Sequence, residues 1–209
     1  MMVSALIQRE QASAEFPIRN GVFVAVVGPS GAGKDTVIGF AAERFSGEGG
    51  VDFVRRVITR PCDGSSEIHD TLADAAFAEA EASGAFALTW EAHGLKYGIP
   101  ASVDDAMANG RVMIANASRG VIAALRRRYA NVVVVEVTAH PEILAERLAA
   151  RGRESRGEVL ARLARAPAVD LAGTGIVSID NSGPREIAGE RFLEILRKAV
   201  AFSDVSGTV

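Results

Sequence analysis

Residues 22–36, VFVAVVGPSGAGKDT, decide the fold. Residues 22–27 are a continuous apolar, mostly β-branched run, which is typical of a strand buried on both faces of a parallel sheet. Residues 28–34 follow with the G-x-x-x-x-G-K spacing of a P-loop, and residues 37–45 then carry apolar side chains at helical spacing. A strand, a glycine-rich loop and a helix in this order predict a phosphate-binding site.

The chemistry of this loop explains its composition. Glycines let the backbone wrap so that consecutive N–H groups point at one phosphate, and the N-terminus of the helix adds partial positive charge. Lys34 can reach the β- and γ-phosphates of a nucleotide. A glycine-rich turn before a purely structural helix is the alternative, and the flanking strand and helix favour the P-loop. The predicted ATP-binding residues of the loop are Gly28, Pro29, Ser30, Gly31, Ala32, Gly33 and Lys34.

The loop departs from the usual pattern directly after its lysine. A Ser or Thr normally follows and binds Mg²⁺, whereas this chain has Asp35 and then Thr36. A carboxylate can hold Mg²⁺ directly or through water, so both residues are predicted metal ligands. Negative charge is also favourable at a helix N-terminus, so Asp35 as a simple helix cap is an equal alternative.

The rest of the chain alternates apolar strand candidates with helical segments. Further strands are expected at 51–59, 86–92, 112–116, 131–137 and 175–180, a turn at 93–100, and helices at 72–83, 102–108, 119–129, 141–152 and 184–202. This alternation predicts an α/β domain with a mostly parallel sheet flanked by helices. Residues 21–202 are predicted to be a single domain, between an N-terminal extension (1–20) and a C-terminal tail (203–209). His69 and His140 are predicted to lie at the surface, and Trp90 in the core.

Composition limits the classes of function. The 209 residues are 48% hydrophobic and 23% charged with a net charge of −3, which excludes a disordered protein and argues against a nucleic-acid partner. No run of about 18 apolar residues is present and the start does not resemble a signal peptide, so neither a membrane partner nor export is expected. The single cysteine excludes an internal disulfide framework and fits the cytoplasm. The sequence leaves the oligomeric state open, with a homodimer as one option.

Arginines are concentrated in residues 147–165, which begin within the predicted helix at 141–152 and continue after it. A mobile arginine-rich lid would supply positive charge for phosphoryl transfer and exclude water. A solvated helix face with ion pairs to nearby glutamates is the alternative, and the P-loop in the same domain favours the lid. The arginines of this segment are Arg147, Arg151, Arg153, Arg156, Arg162 and Arg165.

Four segments occur in an order that resembles the guanylate kinase-like P-loop family: the P-loop, Thr-Arg-Pro at 59–61, HGLKYGIP at 93–100 and RGRES at 151–155. The resemblance covers residues 21–181. It implies a nucleoside-monophosphate-kinase-like fold with an acceptor-binding insertion at about 55–100 and a lid at about 147–166. It also implies that Arg60 and Tyr97 hold the acceptor phosphate, that Arg151 and Arg162 act with Lys34 on the donor ATP, and that Asn181 lies near the adenine.

The departures from guanylate kinases concern the acceptor base. Leu88 stands where those enzymes have a glutamate that reads guanine, and a leucine cannot accept hydrogen bonds from a purine. Residues 112–119, VMIANASR, contain no acid where the family has acids. Asn116, Ser118 and Arg119 suit hydroxyls and phosphate, although a strand end followed by a helix cap explains the first two equally well. Arg56 is a further candidate for the acceptor cleft.

These substitutions match a narrower family. Residues 28–36, 57–61 and 92–100 resemble the ribose 1,5-bisphosphate phosphokinases of bacterial phosphonate degradation. The resemblance implies Mg²⁺-assisted transfer from ATP to ribose 1,5-bisphosphate, giving 5-phospho-α-D-ribose 1-diphosphate (PRPP) and ADP, with Arg153 among the residues that close over the acceptor. The alternatives are a guanylate kinase-like nucleoside monophosphate kinase and a non-catalytic binding module of the same fold.

Overall fold

A computed structural model describes residues 17–45, 49–60, 69–150 and 175–206, together with residues 157 and 160. In chain order the strands are β1 (Val22–Val27), β2 (Val51–Phe53), β3 (Val57–Ile58), β4 (Asp70–Thr71), β5 (Phe86–Ala92), β6 (Leu95–Pro100), β7 (Val112–Asn116), β8 (Val132–Thr138) and β9 (Ile176–Asp180). The helices are α1 (Lys34–Arg44), α2 (Asp74–Ala82), α3 (Ser102–Ala108), α4 (Ile122–Arg128), α5 (Pro141–Ala149) and α6 (Arg185–Ser206), with a 3₁₀ turn at Arg119–Val121.

The main sheet has five parallel strands in the order β2-β7-β1-β8-β9. In its register Val26 of β1 lies opposite Asn116 of β7, and Val27 lies opposite Glu136 of β8. Because all five strands run the same way, the P-loop and the residues that follow β7, β8 and β9 meet at one edge. Ligands of open α/β sheets bind at this carboxyl edge, so the topology locates the site.

A second, four-stranded sheet has the order β4-β3-β6-β5. Strands β5 and β6 form an antiparallel hairpin, and β3 pairs antiparallel with β6. The hairpin turn holds His93 at φ 53° and Gly94 at φ 72°, and two successive positive φ values are typical of a tight two-residue hairpin turn. This sheet corresponds to the predicted acceptor-binding insertion.

Two apolar clusters cover the faces of the main sheet. One face packs against α1 and α6, with Val24 and Val26 of β1 beside Phe40 and Phe192. The other packs against α3, α4 and the β5–β6 hairpin, where Ala25 of β1 lies in the same cluster as Ile99. Every residue of β1 is buried, which is the physical reason for its unbroken apolar run.

Several predicted elements are confirmed with their bounds. The strands at 22–27, 86–92 and 112–116 and the helix at 102–108 agree with the structure residue for residue. His140 is exposed, as predicted. In the part of the chain that the structure describes, no helix combines the length and the apolar character needed to cross a lipid bilayer.

The strand predicted at 51–59 is wrong as one element. Val54 N–H still bonds Ile114 of the main sheet, whereas Thr59 N–H bonds Lys96 of the second sheet. The chain therefore passes from one sheet to the other between these two residues, a transition that local apolar character does not reveal.

Three further expectations are corrected. The segment 93–100 is mostly strand, because β6 follows the two-residue turn. His69 is 5% exposed rather than at the surface, since the adjacent Asp70 N–H bonds the Arg56 carbonyl and draws this segment against β3. Helix α6 runs past residue 202 to Ser206, into the segment predicted to be a tail.

Candidate active site

The P-loop has the backbone that its glycines require. Gly28 and Gly33 have φ values of 147° and 86°, a region that side chains disfavour. A Cβ at Gly28 would also overlap the Val137 carbonyl oxygen, and one at Gly33 would overlap the Asn181 amide. The Lys34 Nζ donates to the carbonyl oxygens of Gly28 and Pro29, at 3.0 and 3.1 Å. The lysine therefore lies over the loop, at the place where a nucleotide phosphate would bind.

Two side chains from outside the loop hold its far half. The Asn181 Nδ2 donates to the Ala32 carbonyl at 2.7 Å. The Arg147 Nη1 donates to the Gly31 carbonyl at 3.3 Å, while its Nη2 donates to the Asn181 carbonyl at 2.9 Å. Asn181 is 3% exposed, and its Oδ1 is a buried acceptor with no hydrogen-bond partner within residues 17–45, 49–60, 69–150 and 175–206. A buried amide oxygen beside the P-loop is a suitable acceptor for a ligand donor.

A short network orders the turn that presents Asn181. The Asp180 Oδ1 accepts hydrogen bonds from the N–H and the hydroxyl of Ser182, and these bonds lower the pKa of the Asp180 carboxyl. The Ser182 Oγ in turn accepts from the His140 N–H at 2.8 Å. Because His140 precedes α5, the network ties the end of β9 to the helix that carries Arg147.

The Asp35 side chain contacts Asn116, the last residue of β7. Asp35 lies in the first turn of α1, where its negative charge is favourable, and the N-cap of the helix is Gly33. The Asp35 Oδ1 accepts from the Asn116 Nδ2 at 2.7 Å. Thr36 is exposed in the same turn. Asn116 therefore orients the carboxylate at the edge where the P-loop lies.

The residues after β7 place a charged pair beside this edge. The Ser118 Oγ accepts from the Gly120 N–H at 3.3 Å, so Ser118 caps the 3₁₀ turn. The Arg119 Nη2 donates to the Glu136 Oε1 of β8 at 2.8 Å. The Arg119 side chain is 27% exposed and that of Glu136 is 21% exposed. The predicted hydroxyl- and phosphate-binding segment thus ends in a half-buried ion pair.

The second sheet carries an aromatic and cationic cluster. The rings of Trp90 and Tyr97 stack with centroids 5.3 Å apart and planes 6° apart. The guanidinium carbon of Arg56 lies 5.8 Å from the centroid of the Trp90 ring and 5.4 Å from that of the Tyr97 ring. Arg56 is 7% exposed. The two rings therefore hold a nearly buried cation in the predicted acceptor-binding region.

The other predicted acceptor residues lie around this cluster. Arg60 follows β3, is half-buried, and accepts a hydrogen bond at its carbonyl from the Thr71 hydroxyl at 3.0 Å. Leu88 packs against the apolar cluster between the two sheets. His93 is exposed in the hairpin turn. Arg151, Arg153 and Arg162 lie outside the described residues.

Two residues extend the predicted site. The sequence groups Arg147 with the lid, whereas its position on α5 brings it onto the Gly31 carbonyl of the P-loop. Glu136 was not predicted. The signal was present as the single charge inside the apolar strand 132–138, VVVVEVT, since a charge in a buried strand needs a partner.

The parallel sheet, the P-loop and the cationic side chains at the carboxyl edge define a P-loop kinase of the nucleoside-monophosphate-kinase-like class. No family model matches the sequence. The structure is similar to the crystal structure of guanylate kinase from Anaplasma phagocytophilum, with a TM-score of 0.60 over 86% of each chain at 20% identity. That likeness concerns the fold.

Curated sequences give the narrower relation. The chain is 56% identical to the ribose 1,5-bisphosphate phosphokinase PhnN of Chelativorans sp. (strain BNC1) over the whole of both chains. It is 51% identical to the enzyme of the same name from Brucella melitensis biotype 2 (strain ATCC 23457), over 85% of this chain and 93% of that one. The protein belongs to the ribose 1,5-bisphosphate phosphokinase family and is a phosphotransferase.

Proposed function

We propose that the protein transfers the γ-phosphoryl group of ATP to the 1-phosphate of ribose 1,5-bisphosphate, with PRPP and ADP as products, in phosphonate catabolism. The observation that carries this proposal is the 56% identity to a ribose 1,5-bisphosphate phosphokinase over all 209 residues. The apolar Leu88 supports it, because the acceptor site then lacks the group that would recognise a purine.

The donor side uses the P-loop and its supports. The loop N–H groups and Lys34 would hold the β- and γ-phosphates. Asn181 and Arg147 keep the loop carbonyls engaged, so the loop N–H groups stay directed toward the nucleotide. The unpartnered Asn181 Oδ1 is suited to accept a hydrogen bond from the adenine amino group.

The residues around Asp35 fit Mg²⁺. A carboxylate oxygen is a preferred ligand, and Mg²⁺ in kinases takes one or two carboxylates together with substrate phosphates and water. An ion held there would supply positive charge that offsets the negative charge of the nucleotide phosphates. Asp35 would hold the ion, with Thr36 in the same helical turn, and Asn116 would keep the carboxylate directed at it through the 2.7 Å hydrogen bond.

The acceptor side supplies positive charge without a base-reading group. Arg56, Arg60 and Tyr97 are proposed to hold the acceptor phosphates from the second sheet, and Arg119 with Asn116 and Ser118 from the end of β7. A bidentate guanidinium suits a phosphate dianion. The lid arginines Arg151, Arg153 and Arg162 are proposed to close over the transferring group and exclude water.

The reaction needs positioning rather than a general base. An oxygen of the acceptor's 1-phosphate forms the new bond to the γ-phosphorus of ATP, while the bond between that phosphorus and the β–γ bridging oxygen breaks and ADP leaves. The acceptor oxygen is already ionised near pH 7, so no proton has to be removed from it. Catalysis then depends on in-line placement and on cations around the transferring group.

Phosphorus NMR of the products tests the reaction. Incubation of the protein with MgATP and ribose 1,5-bisphosphate is expected to give diphosphate doublets coupled to an anomeric carbon. GMP in place of the sugar phosphate is expected to give no more than a hundredth of that rate, because Leu88 leaves guanine without an acceptor. A faster reaction with GMP would identify a nucleoside monophosphate kinase instead.

The Lys34→Ala variant separates an enzyme from a binding module. It is expected to lose at least about 100-fold in kcat/KM, since Lys34 stabilises charge on the transferring group. Lys198→Ala, on α6 and away from the carboxyl edge, is the matched control and is expected to keep wild-type activity. If the protein were a binding module, the wild type, Lys34→Ala and Lys198→Ala would all show no turnover.

The compartment and the binding partners of the protein are proposals as well. A reaction that consumes ATP in a chain with a single cysteine fits the cytoplasm. The proposed partners are a small sugar phosphate and ATP rather than nucleic acid, because the net charge is −3.

A further inference from the structure

Glu136 is a carboxylate in a strand that is otherwise built from apolar residues and a terminal threonine. It lies opposite Val27, the last residue of β1 before the P-loop, and opposite Ser178 of β9. Glu136 is therefore the neighbour, across the sheet, of the residue that immediately precedes the phosphate-binding loop. The proposed mechanism assigns it no role.

The sheet register determines which side of the sheet carries Glu136. Residues opposite each other on parallel strands share a face, so the Glu136 side chain lies on the face of Val27 and Ala25. That face packs against the cluster containing Ala87 and Ile99 of the hairpin. Glu136 is therefore on the acceptor side of the main sheet, away from α1 and α6.

The pair with Arg119 leaves polar groups unused. One donor of the guanidinium, Nη2, is hydrogen-bonded to the Glu136 Oε1. The Arg119 Nε is buried and has no hydrogen-bond partner in the part of the chain that the structure describes. Among the described residues, the carboxylate of Glu136 has no other hydrogen-bond donor, although it can accept several bonds. A donor-rich group and an acceptor-rich group thus lie side by side at the carboxyl edge.

Stability does not account for this arrangement. A half-buried ion pair gains little net free energy, because the desolvation of both charges offsets their attraction. A ligand with both anionic oxygens and hydroxyl groups would use both partners. The guanidinium would donate to phosphate, and the carboxylate would accept from hydroxyls.

We propose that Glu136 is a specificity-determining residue that accepts a hydrogen bond from a ribose hydroxyl of the acceptor, while the paired Arg119 donates to an acceptor phosphate. This inference rests on the proposed function, since ribose 1,5-bisphosphate carries free 2- and 3-hydroxyls between its two phosphates. Glu136 then makes the enzyme selective for a ribose over a deoxyribose.

The test compares three acceptors: ribose 1,5-bisphosphate and its 2-deoxy and 3-deoxy analogues. The wild-type enzyme is expected to lose about 10- to 100-fold in kcat/KM on at least one analogue, the size expected for a hydrogen bond to a charged group. Glu136→Gln is expected to reduce that ratio to about threefold or less, with most of its loss on ribose 1,5-bisphosphate in KM.

Asp104→Asn is the matched control for the loss of an ion pair. Asp104 pairs with Arg128 at side-chain exposures of 22% and 32%, close to those of Glu136 and Arg119. This pair lies near the start of β8, at the amino edge of the sheet. The control is expected to lower the melting temperature and to keep the wild-type ratio between acceptors.

Glu136→Asp covers the case in which Glu136→Gln does not fold. It keeps the charge but shortens the side chain by one methylene, and it is expected to reduce the ratio at least threefold. A folded variant at position 136 that keeps the full ratio would overturn the inference, as would a wild-type enzyme that accepts both deoxy analogues as well as the ribose. A wild-type enzyme that forms no PRPP would overturn the proposed function and this inference with it.

Discussion

Asn181→Ala tests whether the P-loop is held from outside. The substitution removes the 2.7 Å hydrogen bond from the Asn181 Nδ2 to the Ala32 carbonyl. It leaves the carbonyl of Ala32, a fully buried residue, without its side-chain partner. The Asn181 carbonyl that accepts from Arg147 is part of the backbone and stays in place.

The expected cost follows from the burial of the bond. An unsatisfied buried polar group costs about 1–3 kcal/mol. For a chain of this size each kcal/mol shifts the melting temperature by about 2–4 °C, so a loss of about 2 kcal/mol lowers it by about 4–8 °C. If about 1 kcal/mol of the lost energy favoured the ATP-binding loop conformation, the KM for ATP rises roughly fivefold.

The assay measures the melting temperature without ligand and the KM for ATP and for the acceptor. The KM for ATP is expected to rise, whereas the KM for the acceptor changes less than twofold, because the acceptor binds on the other side of the sheet edge. Asn131→Ala is the matched control, since the Asn131 Nδ2 donates to the Arg19 and Gly21 carbonyls at the amino edge. It is expected to lower stability and keep the KM for ATP. An Asn181→Ala enzyme with a wild-type KM for ATP would refute the reasoning.

Three further predictions concern other parts of the molecule. Asn116→Ala is expected to raise the Mg²⁺ concentration for half-maximal activity several-fold, and the double variant with Asp35→Ala no further than Asp35→Ala alone, because either change removes the same 2.7 Å contact. Trp90 is the only tryptophan and stacks on Tyr97, so ribose 1,5-bisphosphate without ATP is expected to change the intrinsic fluorescence, and ATP alone to change it far less. Burial raises the pKa of the Tyr129 hydroxyl above its ordinary value of 10.0. As the pH rises, the unfolded chain therefore loses this proton before the folded protein does, and the free energy of unfolding is expected to fall above about pH 10. Tyr129→Phe is expected to weaken that fall, as measured by melting curves at alkaline pH.

Each of these has an outcome that would contradict it. Additive effects of the Asn116 and Asp35 changes on the Mg²⁺ requirement would show that the two side chains act separately. Equal fluorescence changes with ATP and with the sugar phosphate would place the acceptor away from Trp90. An alkaline melting curve that is unchanged in Tyr129→Phe would assign the loss of stability to other groups.

The central elements could be predicted because their signals are local. The apolar run before Gly28 and the regular spacing in residues 102–108 depend only on neighbours in the chain. The crossing from β2 to β3 could not be predicted, since residues 51–59 are apolar enough for one strand and only the partners of Val54 and Thr59 separate the two sheets. The burial of His69 could not be predicted either, because it follows from the hydrogen bond between the Asp70 N–H and the distant Arg56 carbonyl.

The candidate site divides in the same way. The P-loop and Asp35 were predicted from a motif and Tyr97 from the family resemblance, and their roles stay predictions. The supports were not found as such: Arg147 was assigned to a lid, and Glu136 was overlooked inside a strand. Neither residue has a motif, because its partner lies far along the chain.

By itself the sequence determined the P-loop and the alternation of strands and helices, because each is a matter of residue type at a fixed local spacing. Only the tertiary structure decided that Asn181 reaches Ala32 across 149 positions, Asn116 reaches Asp35 across 81, and Arg119 pairs with Glu136 across 17. Such contacts arise when parallel strands bring their carboxyl ends to one edge, and that convergence exists only in the folded sheet.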